Sequence, residues 1–182
     1  MKIIKTLTPW TSSLLFFIFV LTAPTLAQDN PTLSDAEIAS VAVVANQIDI
    51  DYAAIAKEKS KNADVLKFAE TMANDHQAVI NQAVALVQKL GVTPQDNAVS
   101  QQLLNDAAKT KKVLRSKSGE AFNKAYIDNE VAYHKAVISA VEDLLIPETE
   151  NPELKDLLQS IVPALKAHLM HAEMVQKQFS EK

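Results

Sequence analysis

Apolar residues recur along four long segments of the chain at the three- and four-residue spacing that is typical of amphipathic helices. Each segment follows a residue that can cap a helix N-terminus; these residues are Ser34, Asn62, Ser118 and Asn151. Gly91 and Pro147 stop the second and third segments. Because no segment alternates apolar and polar residues as a strand does, the sequence predicts an all-α fold of four long helices.

The connection between the second and third predicted helices, residues 92–117, has only weak helical periodicity. A structureless loop of this length is unusual in a compact domain. The pattern therefore predicts a long, partly helical crossover that runs the height of a four-helix bundle. Basic residues cluster in this crossover, namely Lys109, Lys111, Lys112, Arg115 and Lys117. The first interpretation of the cluster is a solvated face, and the second is a weak contact with anionic envelope polymers or phosphate headgroups.

Each predicted helix carries ionisable residues on or beside its apolar stripe, where apolar residues are expected. These residues are Asp51 on the first helix, Asp75 and His76 on the second, Glu130 and His134 on the third, and His168 and His171 on the fourth. Because successive residues turn by about 100° around a helix, Asp51 is predicted to point inward and Asp49 to the side. On the same geometry His168 is central and His171 lies toward the flank.

Heights along the helices decide which of these groups can meet. Counted from the predicted turn near residue 149, Glu130 and His168 lie level with each other. Counted from the turn near residue 61, Asp51 and His76 differ in height by roughly 7 Å, at about 1.5 Å per residue. The pattern alone therefore does not align the two halves of the bundle.

A buried carboxylate is costly unless it is paired or coordinated, so an inward cluster of acids and histidines needs an explanation. Carboxylate and imidazole groups from facing helices are the usual ligands of a metal inside a bundle. Nitrogen and oxygen donors without sulfur suit one Zn, Fe, Mn or Cu ion. The other interpretation is a hydrogen-bonded network that sets helix packing and does nothing else. Both interpretations are open at this point.

Composition narrows the classes of function. The 182 residues contain no cysteine, which excludes disulfides, thiolate metal sites and cysteine nucleophiles. The net charge of -4 argues against nucleic acid as a partner. With two glycines and no nucleophile or nucleotide motif, an enzyme would have to use a bound metal, with Asp75 or Glu130 as proton carrier. We favour a non-catalytic role.

The N-terminal segment has the pattern of a secretory signal peptide over residues 1–27. Lys2 and Lys5 precede the apolar run 14–21, and Ala27 ends a small-residue cleavage site. An uncleaved membrane anchor is the alternative, but the apolar run is short for a span of about 20 residues. We expect an exported, periplasmic protein in which residues 28–33 form a disordered start and residues 34–180 form one domain.

Five motifs together resemble the exported bacterial domain of unknown function numbered 4142. They are residues 48–56, residues 68–76 (Phe-Ala-Glu-Thr-Met-Ala-Asn-Asp-His), residues 118–126, His134, and residues 163–169 (Pro-Ala-Leu-Lys-Ala-His-Leu). The resemblance spans nearly all of the chain after the leader. It implies a ferritin-like four-helix bundle in an exported protein, and members are often labelled exported or outer-membrane proteins.

The resemblance also bears on the candidate ligands. His76, His134 and His168 match the family's histidines, and Asp75 matches the acid beside the first of them. A typical di-iron bundle supplies one Glu from each of two helices and Glu-x-x-His from the other two. This chain has adjacent Asp75 and His76 and a His168-x-x-His171 pair instead. This departure from the di-iron pattern argues against iron oxidation and storage, and it leaves open a single ion with nitrogen and oxygen ligands.

Two functional hypotheses follow. The first is an exported ferritin-like protein that binds a transition metal in its core, through His76, His134, His168 and nearby carboxylates. The second is a non-catalytic envelope or stress-related module whose buried histidine and carboxylate network is purely structural.

Overall fold

The computed structural model describes residues 32–180, and every regular element in that range is helical. The helices are α1 (Asp35–Lys59), α2 (Ala63–Leu90), α3 (Ala98–Ser116), α4 (Gly119–Ala140), α5 (Ile146–Glu148) and α6 (Pro152–Ser180). A π-helical turn, Val141–Leu145, joins α4 to the short α5. The prediction of an all-α fold is confirmed.

The predicted caps explain most of the helix ends. The side chains of Ser34, Asn62 and Asn151 accept hydrogen bonds from backbone N–H groups in the first turns of α1, α2 and α6. Ser118 precedes α4, but its side chain makes no such bond. Gly91 ends α2 in the left-handed region, with φ of 63°, where glycine carries no steric penalty.

The connection predicted as a partly helical crossover begins with the non-helical residues 92–97 and continues as a regular helix, α3, of 19 residues. Asn97 and Ser100 form a capping box at its start. The buried residues of α3 are Ser100, Ala107 and Leu114, which recur every seventh position. Because two of these three side chains are small, the apolar stripe is weak in the sequence although the helix is regular.

Helix α1 is the centre of the packing, since it contacts α2, α3 and α4, while α6 packs against α4 and α2. A first apolar cluster surrounds Phe68 and Tyr126. A second apolar cluster surrounds Leu145 and Leu158 toward the other end of the molecule. Asn46, His76, His134 and His168 lie between the parts of α1, α2, α4 and α6 that belong to the two clusters, and Asp49 and Glu130 lie beside them among residues of the first cluster. The core therefore has a polar layer between two apolar layers.

The N-terminal predictions fall mainly outside the described residues, which include only the last two positions of the predicted disordered start. Of these, Leu33 is buried and belongs to the second apolar cluster, so it is part of the core. Among the described helices, α1 is long and apolar enough to cross a membrane. However, 56% of its most apolar window is buried inside the fold, as in the core helix of a globular domain.

Replacing Phe68 by alanine should lower the free energy of unfolding by about 3–5 kcal/mol, because the ring is completely buried in the first apolar cluster. The matched control is Leu104→Ala on the outer face of α3, where the side chain is 41% exposed. That change should stay within about 0.5 kcal/mol. Urea unfolding followed by circular dichroism measures both, and equal losses would contradict this description of the core.

Candidate metal centre

The polar layer consists mainly of three histidines and two carboxylates. They are Asp49 of α1, His76 of α2, Glu130 and His134 of α4, and His168 of α6. Asp49 and Glu130 have no exposed surface, and the most exposed of the five, His168, is 7% exposed. Ionisable groups buried this deeply are rare unless they are paired or bound to something.

The three imidazole rings form a nearly regular triangle. The ring centres of His76 and His134 are 5.7 Å apart, those of His76 and His168 are 5.2 Å apart, and those of His134 and His168 are 5.6 Å apart. One ring nitrogen of each histidine lies within 4.8 Å of the others. The helices α2, α4 and α6 therefore bring three nitrogen donors to one point.

The outer nitrogen of His76 is held by Asn46 of α1. The Asn46 side chain donates to the carbonyl of Ala42 at 2.8 Å, which turns its own oxygen toward His76 Nδ1 at 2.7 Å. Since the amide oxygen can only accept, Nδ1 carries the hydrogen. His76 Nε2, the inner nitrogen, is then a lone-pair donor of the kind that binds metals.

The other two rings are oriented in the same way. His134 Nδ1 donates to the backbone carbonyl of Glu130 at 2.9 Å, and His168 Nε2 bonds the carboxylate of Asp75 at 2.9 Å. These acceptors leave His134 Nε2 and His168 Nδ1 as the inner nitrogens. Partners of this type on the outer nitrogen are the usual support of histidines that ligate metals.

The inner atoms have no hydrogen-bond partner among the described residues. They are His76 Nε2, His134 Nε2, His168 Nδ1 and both carboxylate oxygens of Asp49; Glu130 Oε2 has no hydrogen-bond partner either, but it lies 3.7 Å from the outer nitrogen of His134. Asp49 Oδ2 lies 3.3 Å from His76 Nε2 and 3.6 Å from His134 Nε2. A group of atoms that all accept is stable only when protons or a cation lie between them.

Burial shifts the pKa values of Asp49, Glu130, His76 and His134 in the direction that favours the neutral form of each group. It raises the pKa of Asp49 to about 8 and, together with the charge of Asp49, raises the pKa of Glu130 well above its ordinary value. Burial, and then the neighbouring imidazoles, lower the pKa of His76 to about 3. Burial likewise lowers the pKa of His134 to about 4. Without an ion, His76 and His134 are therefore neutral at pH 7, and the two acids retain protons.

The residues fit a metal ion in number, type and placement. Asp49, Glu130 and His134 form a second group whose ligand atoms lie within 4.8 Å of one another, so carboxylates border the histidine triangle. An ion with Zn–N bonds of about 2.0–2.1 Å needs donors roughly 3.4 Å apart. Side-chain adjustments of roughly 1 Å or less would bring the three nitrogens to that spacing.

Asp51 was predicted to point inward, and this prediction is wrong. Its carboxylate is 39% exposed and binds Lys111 of α3 at 2.8 Å, while Asp49 occupies the inner position. The error has a physical cause: α1 is covered on several sides by α2, α3 and α4, so its buried residues extend over most of its circumference. An apolar stripe of that width does not define one inward direction.

The structure brings together four of the predicted site residues, namely His76, Glu130, His134 and His168. The Asp75 side chain is 52% exposed and touches the outer nitrogen of His168. His171 lies away from the cluster, half-buried and edge-on to Phe68, with ring centres 5.1 Å apart. Sequence reasoning missed Asn46 and Asp49, although their spacing of three residues places both on one face of α1.

The basic cluster of α3 is partly neutralised. Lys109 binds Asp106 at 2.7 Å, and Lys111 binds Asp51. Lys59 of α1 donates to the backbone carbonyl of Arg115 at the end of α3. These contacts agree with a solvated face, and the envelope contact stays a prediction.

The chain has relatives in sequence and in fold. The family model described as Domain of unknown function (DUF4142) matches residues 21–175. No curated protein matches the sequence. The fold is similar to that of CopM in the Cu(II)-bound form, with a TM-score of 0.61 and 15% sequence identity, over 82% of this chain and 99% of that one. An identity this low shows a similar fold and does not carry over a ligand.

The metal-free protein should lose unfolding free energy between pH 6.5 and pH 8, roughly 1 to 2 kcal/mol from Asp49 alone, and the raised pKa of Glu130 acts in the same direction. The pKa of Asp49 is about 8 in the folded state against an ordinary 3.8, so the folded state binds more protons and is weakened as pH rises. The lowered pKa values of His76 and His134 have the opposite effect, because they make the protein more stable as pH rises. That effect is confined to pH values below 6.5, the ordinary pKa of histidine. Urea unfolding of chelator-treated protein at several pH values measures the slope. Asp49→Asn should make it shallower, and an unchanged slope would contradict the assignment.

Proposed function

We propose that this chain, which belongs to the domain of unknown function 4142 family, is an exported, ferritin-like four-helix protein that binds one transition metal ion in its core. Its ligands are His76, His134 and His168, with Asp49 and Glu130 beside them. The proposal depends on one observation above all: three inner ring nitrogens converge and have no hydrogen-bond partner within the described residues. A divalent cation supplies the positive charge that this group of acceptors lacks.

The donor set favours some ions over others. Three imidazole nitrogens with a carboxylate suit Zn(II) and Cu(II) better than Fe or Mn, which accept more oxygen ligands. Cu(II) stands above Zn(II) in the general order of affinity for such donors. CopM, which has a similar fold, has been solved in a Cu(II)-bound form. We therefore rank Cu(II) first and Zn(II) second for this chain.

The contacts of the outer nitrogens support the proposal. Asn46, the carbonyl of Glu130 and Asp75 each hold one imidazole so that its second nitrogen faces the centre. This arrangement fixes the tautomer and the angle of each ring before an ion arrives. Preorganisation of this kind lowers the cost of binding, because few rotamers have to be frozen.

The wider assignment rests on the sequence. Residues 1–27 have the pattern of a signal peptide, so we propose export to the periplasm or the outer membrane. In the ferritin-like description, α1, α2, α4 and α6 are the four bundle helices and α3 is the crossover. The role is binding, and Asp49 and Glu130 act as ligands or neighbours of the ion. An envelope contact through the basic residues of α3 remains part of the proposal.

The second candidate function is a non-catalytic envelope module with a structural polar core. It is favoured by the raised pKa of Asp49, since a carboxyl that retains its proton can share it with His76 Nε2 at 3.3 Å. Protons alone would then neutralise the layer, and the helices would be held in register without an ion. The two candidates differ in whether the purified protein contains metal.

Protein purified without chelator should contain close to one transition metal ion, and saturating metal should raise its melting temperature. Asn46→Ala should weaken binding by roughly 10- to 100-fold, because it removes the support of one ring. His168→Ala removes a ligand and should weaken metal binding more than Asn46→Ala does. Elemental analysis and titration calorimetry with Cu(II) and Zn(II) measure these effects.

The matched controls for that series are His171→Ala and Asp51→Asn, which change the same residue types outside the cluster. Both variants should bind metal like the wild type. A protein that contains no metal, and whose melting temperature does not respond to any of these ions, would favour the structural candidate.

Metal affinity should rise by about tenfold per pH unit between pH 6 and pH 8, because the ion displaces a proton from Asp49. Asp49 retains that proton through most of this range, since burial raises its pKa to about 8. Calorimetric titrations in buffers of different pH measure the dependence. A pH-independent affinity would show that Asp49 stays protonated when the ion binds.

A further inference from the structure

A surface pocket of about 190 Å³ lies between α2 and α6, beside the histidine triangle. Its α2 wall includes Asp75, His76 and Ala78, and its α6 wall includes Ala164 and His168. We call this feature the α2–α6 pocket. Because two of the three proposed histidine ligands line it, the pocket borders the metal site from the surface of the protein.

Asp75 is the only acidic residue among those that line the α2–α6 pocket. Its side chain is 52% exposed, and its Oδ2 accepts a hydrogen bond from His168 Nε2 at 2.9 Å. The other oxygen, Oδ1, has no hydrogen-bond partner among the described residues. No lysine or arginine of the described chain lines the pocket. An exposed carboxylate oxygen is therefore free to bind a cation directly beside a proposed ligand.

We propose that Asp75 is a capture site for a hydrated divalent cation, and that the ion passes from Asp75 through the α2–α6 pocket to the inner nitrogens of the histidine triangle. This proposal rests on the proposed metal-binding function and concerns how the ion reaches the core. The bond between Asp75 and His168 breaks while the ion passes and forms again behind it. Solvent compensates for the broken bond, because the Asp75 side chain is exposed.

The backbone of α6 is weakened beside the pocket. Pro163 lies inside α6, next to the lining residue Ala164 and one turn before His168. Proline has no backbone N–H, so the helical bond to the carbonyl of Gln159 is missing. In addition, α6 makes fewer contacts with α2 than with α4. The two walls of the pocket can therefore separate with less loss of packing than α6 and α4 can.

A larger groove, of about 350 Å³, also reaches the site, since Asp49 and His134 line it. Most of its lining is apolar, so a hydrated cation would lose water there without gaining ligands. Asp106 lines it as well, but its carboxylate oxygens already bind Lys109 and Gln102. The groove also borders α3, whose basic cluster repels cations. The exposed, free carboxylate of the α2–α6 pocket makes that pocket the better route.

Replacing Asp75 by asparagine separates capture of the ion from support of the ring. The asparagine oxygen still accepts a bond from His168, but the negative charge is lost. The association rate of Cu(II) should fall by at least about tenfold, since an attractive charge at a site raises association rates by roughly 10- to 1,000-fold. The dissociation rate should fall as well, because the ion leaves by the same route. Unchanged association with faster dissociation would mean that Asp75 only supports the ring.

Stopped-flow measurements of tyrosine fluorescence give the association rate, and mixing the loaded protein with a chelator gives the dissociation rate. The ring centre of Tyr133 is 6.4 Å from that of His134, so Cu(II) in the core quenches its fluorescence. The signal therefore reports arrival at the histidines. Added salt should slow association to the wild type more than association to Asp75→Asn, because salt screens the attraction of the carboxylate.

Three further variants test the route. Glu70→Gln removes one charge from an exposed position of α2 that does not line the pocket, and it should leave both rates unchanged. Ala78→Phe places a ring in the α2–α6 pocket and should slow both rates without changing the affinity. Ala136→Phe places the same ring in the larger groove and should change neither rate. Ala78 and Ala136 are both exposed, so these two variants should keep the wild-type circular dichroism.

The outcomes distinguish the capture site from the metal site itself. If the wild type binds Cu(II) at equilibrium but Asp75→Asn associates at the wild-type rate, the capture site is overturned and the metal site stands. Slower association in Ala136→Phe but not in Ala78→Phe would also overturn the proposal and would assign entry to the larger groove. A wild type that binds no metal at equilibrium would overturn the proposed function, and the capture site with it.

Discussion

The structure depends on how a buried core accommodates a group of hydrogen-bond acceptors. Three ring nitrogens and both carboxylate oxygens of Asp49 lie together in the buried core without a hydrogen-bond partner among the described residues. Such a group is unstable unless positive charge or protons enter it. The protein has two ways to meet this requirement: the acids retain protons, or a cation takes their place. Replacing the protons of the acids by a cation is the step that links the fold to the proposed function.

The surrounding structure prepares this exchange. Each imidazole is fixed through its outer nitrogen by a different kind of acceptor: an amide on α1, a backbone carbonyl on α4 and a carboxylate on α2. The inner nitrogens keep their direction because the outer bonds hold the rings. Burial also keeps His76 and His134 unprotonated near pH 7, which is the form that binds metal. The same low-polarity surroundings that make the cluster costly therefore make it selective for a cation.

Much of this could be predicted from the sequence, and the exceptions have physical causes. The helix ends could be predicted because they depend on single residues, such as the capping side chain of Asn62 and the flexible backbone of Gly91. These effects are local, so they can be recognised without knowing the fold. The histidines were found because an imidazole on an otherwise apolar stripe stands out. Asp49 was missed because α1 is buried nearly all round, so direction on that helix is set by three neighbours and not by its own pattern. Helix α3 was underestimated because its contact stripe uses Ser100 and Ala107, small residues that carry little hydrophobic signal.

The three corners of the histidine triangle are not equivalent in their contact with water. The α2–α6 pocket, of about 190 Å³, is lined by His76 and His168 together with their partners Asn46 and Asp75, whereas Glu130 has no exposed surface. The Asp75 side chain is 52% exposed, so solvent can replace it as the partner of His168, and water cannot replace the carbonyl of Glu130 in the same way. The bond between His168 and Asp75 is therefore the supporting bond that is most open to solvent.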